Sequence, residues 1–220
     1  MSRFRDLHGR VALVVGGGRV IAENLAARGA TTVLAYAHDD EGARRTLAVL
    51  DGHGVRAEAI RADATVAADV DTLVEGVVSR HGRLDVVVHA TGPVVGKPLA
   101  DLADTDFDHL VDHNVRSVLH TLRAAALHLA DGGRYVLLST TLAAPAAGLD
   151  AASQAAALHL IAAAAKDLEG RRVTVNAVGV RHDDRPAGAV PLVAWLTGAD
   201  AARVSGQIIH SRTLNQEHRS

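Results

Sequence analysis

Short runs of β-branched and other apolar residues alternate with longer Ala- and Leu-rich stretches along nearly the whole chain. The apolar runs are almost uninterrupted, which is typical of strands that are covered on both faces of a parallel sheet. The longer stretches carry helical periodicity and separate one strand from the next. The pattern predicts a single α/β domain over residues 1–220: a Rossmann-like, doubly wound parallel sheet of about seven strands with helices on both faces.

The limits of the predicted elements follow from where each apolar run begins and ends. The predicted strands are Val11–Val15, Thr31–Tyr36, Val55–Ile60, Leu84–His89, Arg134–Leu138, Arg172–Val178 and Gln207–His210. The predicted helices are Ile21–Arg28, Glu41–Gly52, Ala67–Arg80, Asp104–Leu129, Asp150–Leu168 and Val190–Leu196.

Composition excludes several classes of function. The net charge of −2 and the aromatic content of 2% provide neither a basic field nor stacking platforms for nucleic acid. The absence of cysteine excludes disulfides and thiol catalysis. No apolar run approaches the roughly 20 residues that span a bilayer, and the N-terminus lacks the apolar centre of a signal peptide. We therefore expect a cytoplasmic protein that binds neither nucleic acid nor membrane.

The stretch VALVVGGGRVIAENLA (residues 11–26) is similar to a dinucleotide-binding fingerprint, in which a strand meets a glycine-rich turn and then a helix. Gly16 can make the tight turn, but Val20 and Ala22 stand where later glycines are expected. A branched side chain at Val20 would crowd the diphosphate and resist a positive φ angle. The sequence therefore favours a chain that binds no cofactor, with NADP(H) as the alternative.

Six segments resemble landmarks of the short-chain dehydrogenase/reductase family, in the order in which that family carries them. Each is a weak signal alone, whereas their order and spacing across nearly the whole chain are specific. The segments are GGGRVIA (Gly16–Ala22), RADAT (Arg61–Thr65), RLDVVVHATG (Arg83–Gly92), DHNVRSV around Asn114, RVTVNAV (Arg172–Val178) and WLTGADAARVSGQIIH (Trp195–His210).

The resemblance implies a vestigial or weak cofactor site at Gly16, Arg19, Asp63 and Gly92. In the resembled family an acid at the position of Asp63 contacts adenine, and a basic residue at the position of Arg19 often favours NADP(H). No acid directly follows the second strand, where the sequence reads Tyr36-Ala37-His38, and this also favours NADP(H) over NAD.

The family's catalytic residues are only partly present. The family pairs a tyrosine with a lysine four residues later, and the lysine lowers the tyrosine pKa for proton exchange with the substrate. Asp150 and Gln154 occupy these two positions, and Ser139 or Thr140 offers the family's hydroxyl. Asn114 alone is unchanged. A carboxylate lacks the reach of a phenol and an amide carries no charge, so we expect these positions to be inactive in hydride transfer.

The family's mobile segment over the substrate is also nearly missing, since only RHDDRPAGAV separates the sixth strand from the last helix. A site without a lid excludes water poorly. His109 and His113 have a spacing that can bind zinc, but no third ligand shares their helix face, so we predict no metal.

Two helical regions keep features that favour association with another protein chain. The region 150–168 is rich in alanine, and the region 104–129 carries more apolar residues than one buried face needs. In the resembled family these two helices form a four-helix bundle across a dimer interface. We therefore expect association through 104–129 and 150–168, either with a homologous active subunit or with a second copy.

Two main hypotheses follow. In the first, the chain is a non-catalytic subunit, similar to the inactive partners of active reductases in bacterial antibiotic pathways of the aminocoumarin type. It would assist an NADP-dependent enzyme that acts on a carrier-bound β-hydroxyacyl or β-ketoacyl group, with a carrier protein as a further partner. In the second, it is a cofactor-independent cyclase or dehydratase with Asp150 as general base and Asn114 and Ser139 or Thr140 assisting. A third reading is a weak reductase that relays protons through Thr140 and water.

Overall fold

The computed structural model describes residues 5–16, 18–90, 92–141, 148–181 and 186–211. Its strands are β1 (Val11–Val15), β2 (Thr31–Tyr36), β3 (Ala57–Arg61), β4 (Val86–Ala90), β5 (Arg134–Thr141), β6 (Thr174–Arg181) and β7 (Ile208–His210). Within the described ranges they form one seven-stranded sheet in the order β3-β2-β1-β4-β5-β6-β7, with every neighbouring pair parallel. The predicted doubly wound α/β fold is confirmed.

The helices are α1 (Arg19–Ala27), α2 (Asp40–Asp51), α3 (Ala67–His81), α4 (Asp104–Val111), α5 (Ser117–His128), α6 (Gly148–Asp167) and α7 (Val190–Thr197). One apolar core joins the sheet to α3, α5 and α6, and a second joins its other face to α1, α2 and α7. Because successive residues of a strand point to opposite faces, the continuously apolar strands supply both cores. No helix in the described ranges combines the length and hydropathy needed to cross a membrane.

Three predicted elements differ most from the structure, and several other predicted limits differ by one or two residues. The predicted helix Asp104–Leu129 is divided into α4 and α5 by one π-helical segment, Asp112–Arg116. A π segment leaves the apolar periodicity nearly intact, so the sequence pattern does not reveal it. β5 and β6 also run further than predicted, to Thr141 and Arg181, because their paired ends are polar or small rather than apolar.

Asp85 ties the amino ends of β1 and β4 together. Its carboxylate is 1% exposed and accepts hydrogen bonds from the Val11 backbone N–H at 2.9 Å, from Arg10 at 2.6 Å and from Arg83 at 2.7 Å. Burial acts to raise the pKa of Asp85, but these donors prevail and hold it below its usual value. This anchor lies at the opposite edge of the sheet from the loops described next.

Candidate cofactor and relay site

The candidate site lies at the carboxyl ends of β1 and β4, the central strands, where open parallel sheets bind their ligands. Gly16 follows β1 with φ +83°, and a Cβ there would lie 2.7 Å from the Ala90 carbonyl oxygen. Only glycine fits this turn. Gly18 precedes α1 and supplies no side-chain cap. The N–H groups of Ile21 and Ala22 donate to the Gly18 carbonyl, so those of Arg19 and Val20 are the ones that an anion could reach.

Val20 does not have the backbone conformation that the sequence analysis expected. It lies in the first turn of α1, and Arg172 is the single non-glycine residue with positive φ in the described ranges. The Val20 side chain is partly buried against the core under α1. The expected conflict between a branched side chain and a positive φ is therefore absent.

A pocket of about 460 Å³ extends from this turn across the end of β2 to α2. Its basic side chains are Arg19, His38 and Arg45. Asp39 also lines it and caps α2 by accepting from the Gly42 N–H, whereas no acid lies directly at the end of β2. Arg19 pairs with Glu23 at 2.8 Å and Arg45 pairs with Glu41 at 2.6 Å, both on the surface. Such surface pairs are weak, so an incoming phosphate can replace them.

Asp63, predicted near adenine, follows β3. One of its carboxylate oxygens accepts hydrogen bonds from the Thr65 backbone N–H at 2.9 Å and from the Thr65 hydroxyl at 2.7 Å. Partial burial acts to raise the pKa of Asp63, but the Thr65 bonds and the nearby His113 and His38 lower it. The carboxylate is thus fixed in its ionised form while its second oxygen has no protein partner in the described structure.

Asp150, at the family's tyrosine position, is 1% exposed. One carboxylate oxygen accepts the backbone N–H of Val95 at 2.6 Å, and the other accepts that of Gly96 at 2.9 Å. The side chain therefore holds the loop between β4 and α4 against α6. We call these two hydrogen bonds the Asp150 clasp.

Asn114 lies in the π-helical segment and is fully buried. Its amide nitrogen donates to the Ser153 hydroxyl at 3.1 Å and more weakly to the Pro93 carbonyl at 3.4 Å. Ser153 in turn donates to the Asp150 carbonyl at 2.9 Å. The structure thus connects Asn114 to Asp150 through Ser153 on α6.

Ser139 and Gln154 make a long, weak hydrogen bond, in which the Ser139 hydroxyl donates to the Gln154 amide oxygen at 3.5 Å. The Gln154 amide nitrogen and the Asn114 amide oxygen are both buried without a partner among the described residues. Buried polar atoms are normally satisfied, so each of these two is an exception among the described residues. Thr140 lies next to Ser139 on β5, whereas residues 182–185 of the shortened lid lie outside the described residues.

Gly92, the last predicted cofactor residue, follows β4 and packs against the π-helical segment. A Cβ at Gly92 would lie 2.6 Å from the His113 Cβ. The glycine is therefore required by the close approach of His113, whatever its role towards a cofactor.

His109 and His113 contact each other edge to face, with 4.5 Å between their ring centroids. In the described ranges no three potential metal ligands converge.

Sequence reasoning missed His89, which stands where the family carries the first asparagine of its N-N-A-G segment. Its Nδ1 lies 2.8 Å from the Thr121 hydroxyl, and its Nε2 lies 3.5 Å from the Ser117 hydroxyl. Complete burial lowers the pKa of His89 to about 4, so the ring is neutral at pH 7. A single histidine in an apolar strand gave no signal of this network.

Hydroxyl groups surround the His89 ring. The Ser117 hydroxyl donates to the His113 carbonyl at 2.6 Å. The Thr121 hydroxyl oxygen lies 2.8 Å from His89 Nδ1 and from the Tyr135 hydroxyl, and 3.1 Å from the carbonyl oxygens of Ser117 and Val118. The network therefore connects the core to the segment that carries Asn114.

A parallel doubly wound sheet with a glycine turn at its central carboxyl edge defines a Rossmann-type dinucleotide-binding protein. Residues 12–189 match the family model described as enoyl-(acyl carrier protein) reductase. The hydroxynaphthalene reductase arp2 of Aspergillus fumigatus is 36% identical over 190 residues, which cover 82% of this chain and 70% of that protein. The chain belongs to the short-chain dehydrogenase/reductase family.

Solved structures agree with this assignment. A dehydrogenase/reductase from Sinorhizobium meliloti is 30% identical with a TM-score of 0.88, covering 93% of this chain and 94% of its own. A short-chain dehydrogenase from Burkholderia cenocepacia, solved in complex with NADP, is 32% identical with a TM-score of 0.84. The match covers 93% of this chain and 97% of that one.

The prediction that this chain binds no cofactor is wrong on these findings. The similar Burkholderia structure holds NADP, and the features of this chain suit the same cofactor. Val20 is accommodated in α1, the Gly16 turn is intact, and basic side chains line the pocket beside β2. The error came from treating a missing fingerprint glycine as a steric block without knowing where the helix begins.

Proposed function

We propose that this chain is an NADP(H)-binding subunit that does not itself transfer the proton, and that it assembles with a catalytically complete family member. The partner would act on a carrier-bound β-hydroxyacyl or β-ketoacyl group in secondary metabolism. The observation that carries the proposal is the Asp150 clasp, because the residue at the tyrosine position is committed to the Val95 and Gly96 amides.

The proton relay lacks both of its reactive groups. Both carboxylate oxygens of Asp150 accept backbone N–H groups, and freeing them would leave both donors unpaired. Gln154 has no charge with which to lower the pKa of a neighbour. The same two hydrogen bonds weigh against Asp150 as general base of a cyclase or dehydratase, since the residue is also only 1% exposed.

The residues fit NADP(H) in three places. Gly16 and the uncapped first turn of α1 would receive the diphosphate. Arg19, His38 and Arg45 would receive the 2′-phosphate. The unpaired Gln154 amide nitrogen would donate to a ribose hydroxyl. The cofactor, when bound, supplies the hydride chemistry of the family, and this chain's residues position it.

Assembly is supported by apolar surface on α4, α5 and α6. Leu110, Val118 and Leu122, within the region 104–129, are buried in the chain's own core. Phe107 and Leu119 are instead 51% and 43% exposed. Several α6 alanines are also exposed, which allows close helix packing. The exposed α6 alanines are Ala151, Ala152, Ala155, Ala156, Ala162 and Ala163.

The carrier-bound substrate class is supported by the description of the matching family as an enoyl-(acyl carrier protein) reductase and by the reductase relatives. Co-expression with a complete family member encoded beside it should give a stable complex. Ala156→Arg on the exposed face of α6 should prevent that complex, whereas Ala48→Arg, on the exposed face of α2, should not. A chain that stays alone with every such partner, or a complex insensitive to Ala156→Arg, would contradict the proposed assembly.

A further inference from the structure

A pocket of about 600 Å³ lies at the amino ends of β6 and β7, at the opposite edge of the sheet from the candidate cofactor site. Its walls are the end of α6, the turn that precedes β6 and the loop that precedes β7. We call it the amino-edge pocket. The charged residues that line it are Lys166, Glu169, Arg172 and Arg203, which give three cations against one carboxylate.

None of the three cations makes an ion pair or a side-chain hydrogen bond within the described ranges. Arg171 shows the contrast, because it pairs with Asp131 at 3.0 Å and also donates to backbone carbonyls. The carbonyl end of α6 offsets part of the Lys166 charge, so Arg172 and Arg203 provide most of the free positive charge. The described lining of the pocket therefore keeps a net positive charge.

The backbone of Arg172 is unusual. It has φ +56°, the left-handed conformation that glycine or asparagine usually supplies after a helix. Non-glycine residues held in this conformation cluster at ligand sites. In this conformation Arg172 lies in the pocket lining, just before β6 begins at Thr174.

The Ser205 hydroxyl of the pocket lining can donate a further hydrogen bond. The Ser205 hydroxyl oxygen accepts the Val175 backbone N–H at 3.1 Å, and no protein acceptor takes the hydroxyl proton in the described structure. The small residues Ala162, Ala165 and Gly206 keep the interior open. Two guanidinium groups with a hydroxyl donor form a set that matches phosphate oxygens.

We propose that the amino-edge pocket binds a small molecule that carries a phosphate group, at a site separate from the NADP(H) site. The pocket's volume falls in the range of small-molecule sites and is larger than a phosphate ion needs. An organic phosphate should therefore bind at least as well as inorganic phosphate. The inference does not depend on the proposed subunit role.

Amide NMR spectra of the full chain test this site directly, with inorganic phosphate, glycerol phosphate and acetate as separate probes. We expect both phosphates to shift the amide signals of Arg203, Ser205 and Gly206, and acetate to shift them only weakly. Arg203→Ala and Arg172→Ala should each weaken this binding by about tenfold. Arg56→Ala removes an exposed arginine at the opposite edge strand and should leave the binding unchanged.

Binding by inorganic phosphate but not by glycerol phosphate would contradict the organic ligand. If acetate shifted the same amide signals as strongly as the phosphates do, the proposal that the pocket selects a phosphate group would be contradicted. Shifts confined to the cofactor pocket, or shifts at residues 203–206 that persist in both arginine variants, would overturn the site itself. Thermal melting of each variant shows whether it is folded, and Arg203→Ala leaves the strained backbone at Arg172 untouched.

Discussion

Asp150 accepts a hydrogen bond from the backbone N–H of Val95 at 2.6 Å, which joins α6 to the loop after β4. With the second bond from Gly96, this clasp uses the position of the family's tyrosine for a structural contact. The loop also approaches Asn114 through the Pro93 carbonyl. The residue at the family's tyrosine position therefore fixes the loop after β4.

Asp150→Ala should release this loop. Both amides would lose a charged acceptor, so hydrogen exchange of Val95 and Gly96 should accelerate and the free energy of unfolding should fall by about 2 kcal/mol or more. Asp69→Ala is the control, because it removes a carboxylate that accepts one exposed hydrogen bond, from the Asp63 backbone N–H at 3.0 Å. It should lower the free energy of unfolding by less than Asp150→Ala does. Unchanged exchange at Val95 and Gly96 in Asp150→Ala would show that the clasp does not form.

His89 should make stability depend on pH in a defined window. Its pKa is about 4 in the folded chain against 6.5 for the free side chain, so unfolding takes up a proton below about pH 6.5. Stability should fall as the pH drops from about 6.5 towards 4, by about 3 kcal/mol in total from this residue.

His89→Asn isolates that contribution, because the amide does not titrate and can still donate and accept. Urea unfolding between pH 7 and pH 5 should show a weaker pH dependence in this variant than in the parent chain. His159→Gln, at an exposed position on α6, is the matched control and should keep the parent slope. Equal slopes in the parent and His89→Asn would mean that His89 is not buried in its neutral form.

Asp85→Asn should be among the most destabilising substitutions at the amino edge of the sheet. It would weaken the contacts with Arg10 and Arg83 around a buried carboxylate, at a cost of about 3 kcal/mol. Asp131→Asn breaks an exposed pair with Arg171 and should cost less than about 1 kcal/mol. Chemical denaturation of the two variants compares them, and equal small losses would refute the anchor.

Arg45 should discriminate between the two nicotinamide cofactors. Arg45→Ala should weaken NADPH binding by about tenfold and leave NADH binding nearly unchanged, because only NADPH carries the 2′-phosphate. Arg123→Ala, on α5 and outside this pocket, should change neither. Cofactor fluorescence measures both affinities, and an equal loss for NADPH and NADH would place Arg45 away from the 2′-phosphate.

The parallel sheet could be predicted because its signal is local. Uninterrupted β-branched runs identified β1 and β2 to the residue. The Asp150 clasp could not be predicted, since it joins residues 55 positions apart through a loop with no periodicity. The His89 network and the π-helical segment at Asn114 likewise depend on tertiary packing rather than on neighbouring residues. The cofactor prediction failed because the position of Val20 depends on where α1 begins.

NADPH binding and NADPH oxidation should be measured on the same sample of the isolated chain. We expect saturable NADPH binding by fluorescence and no oxidation above the buffer rate with a panel of β-ketoacyl thioesters. Oxidation by the chain alone that is abolished by Asp150→Asn would contradict this expectation, because Asp150 would then act in proton transfer rather than in the clasp.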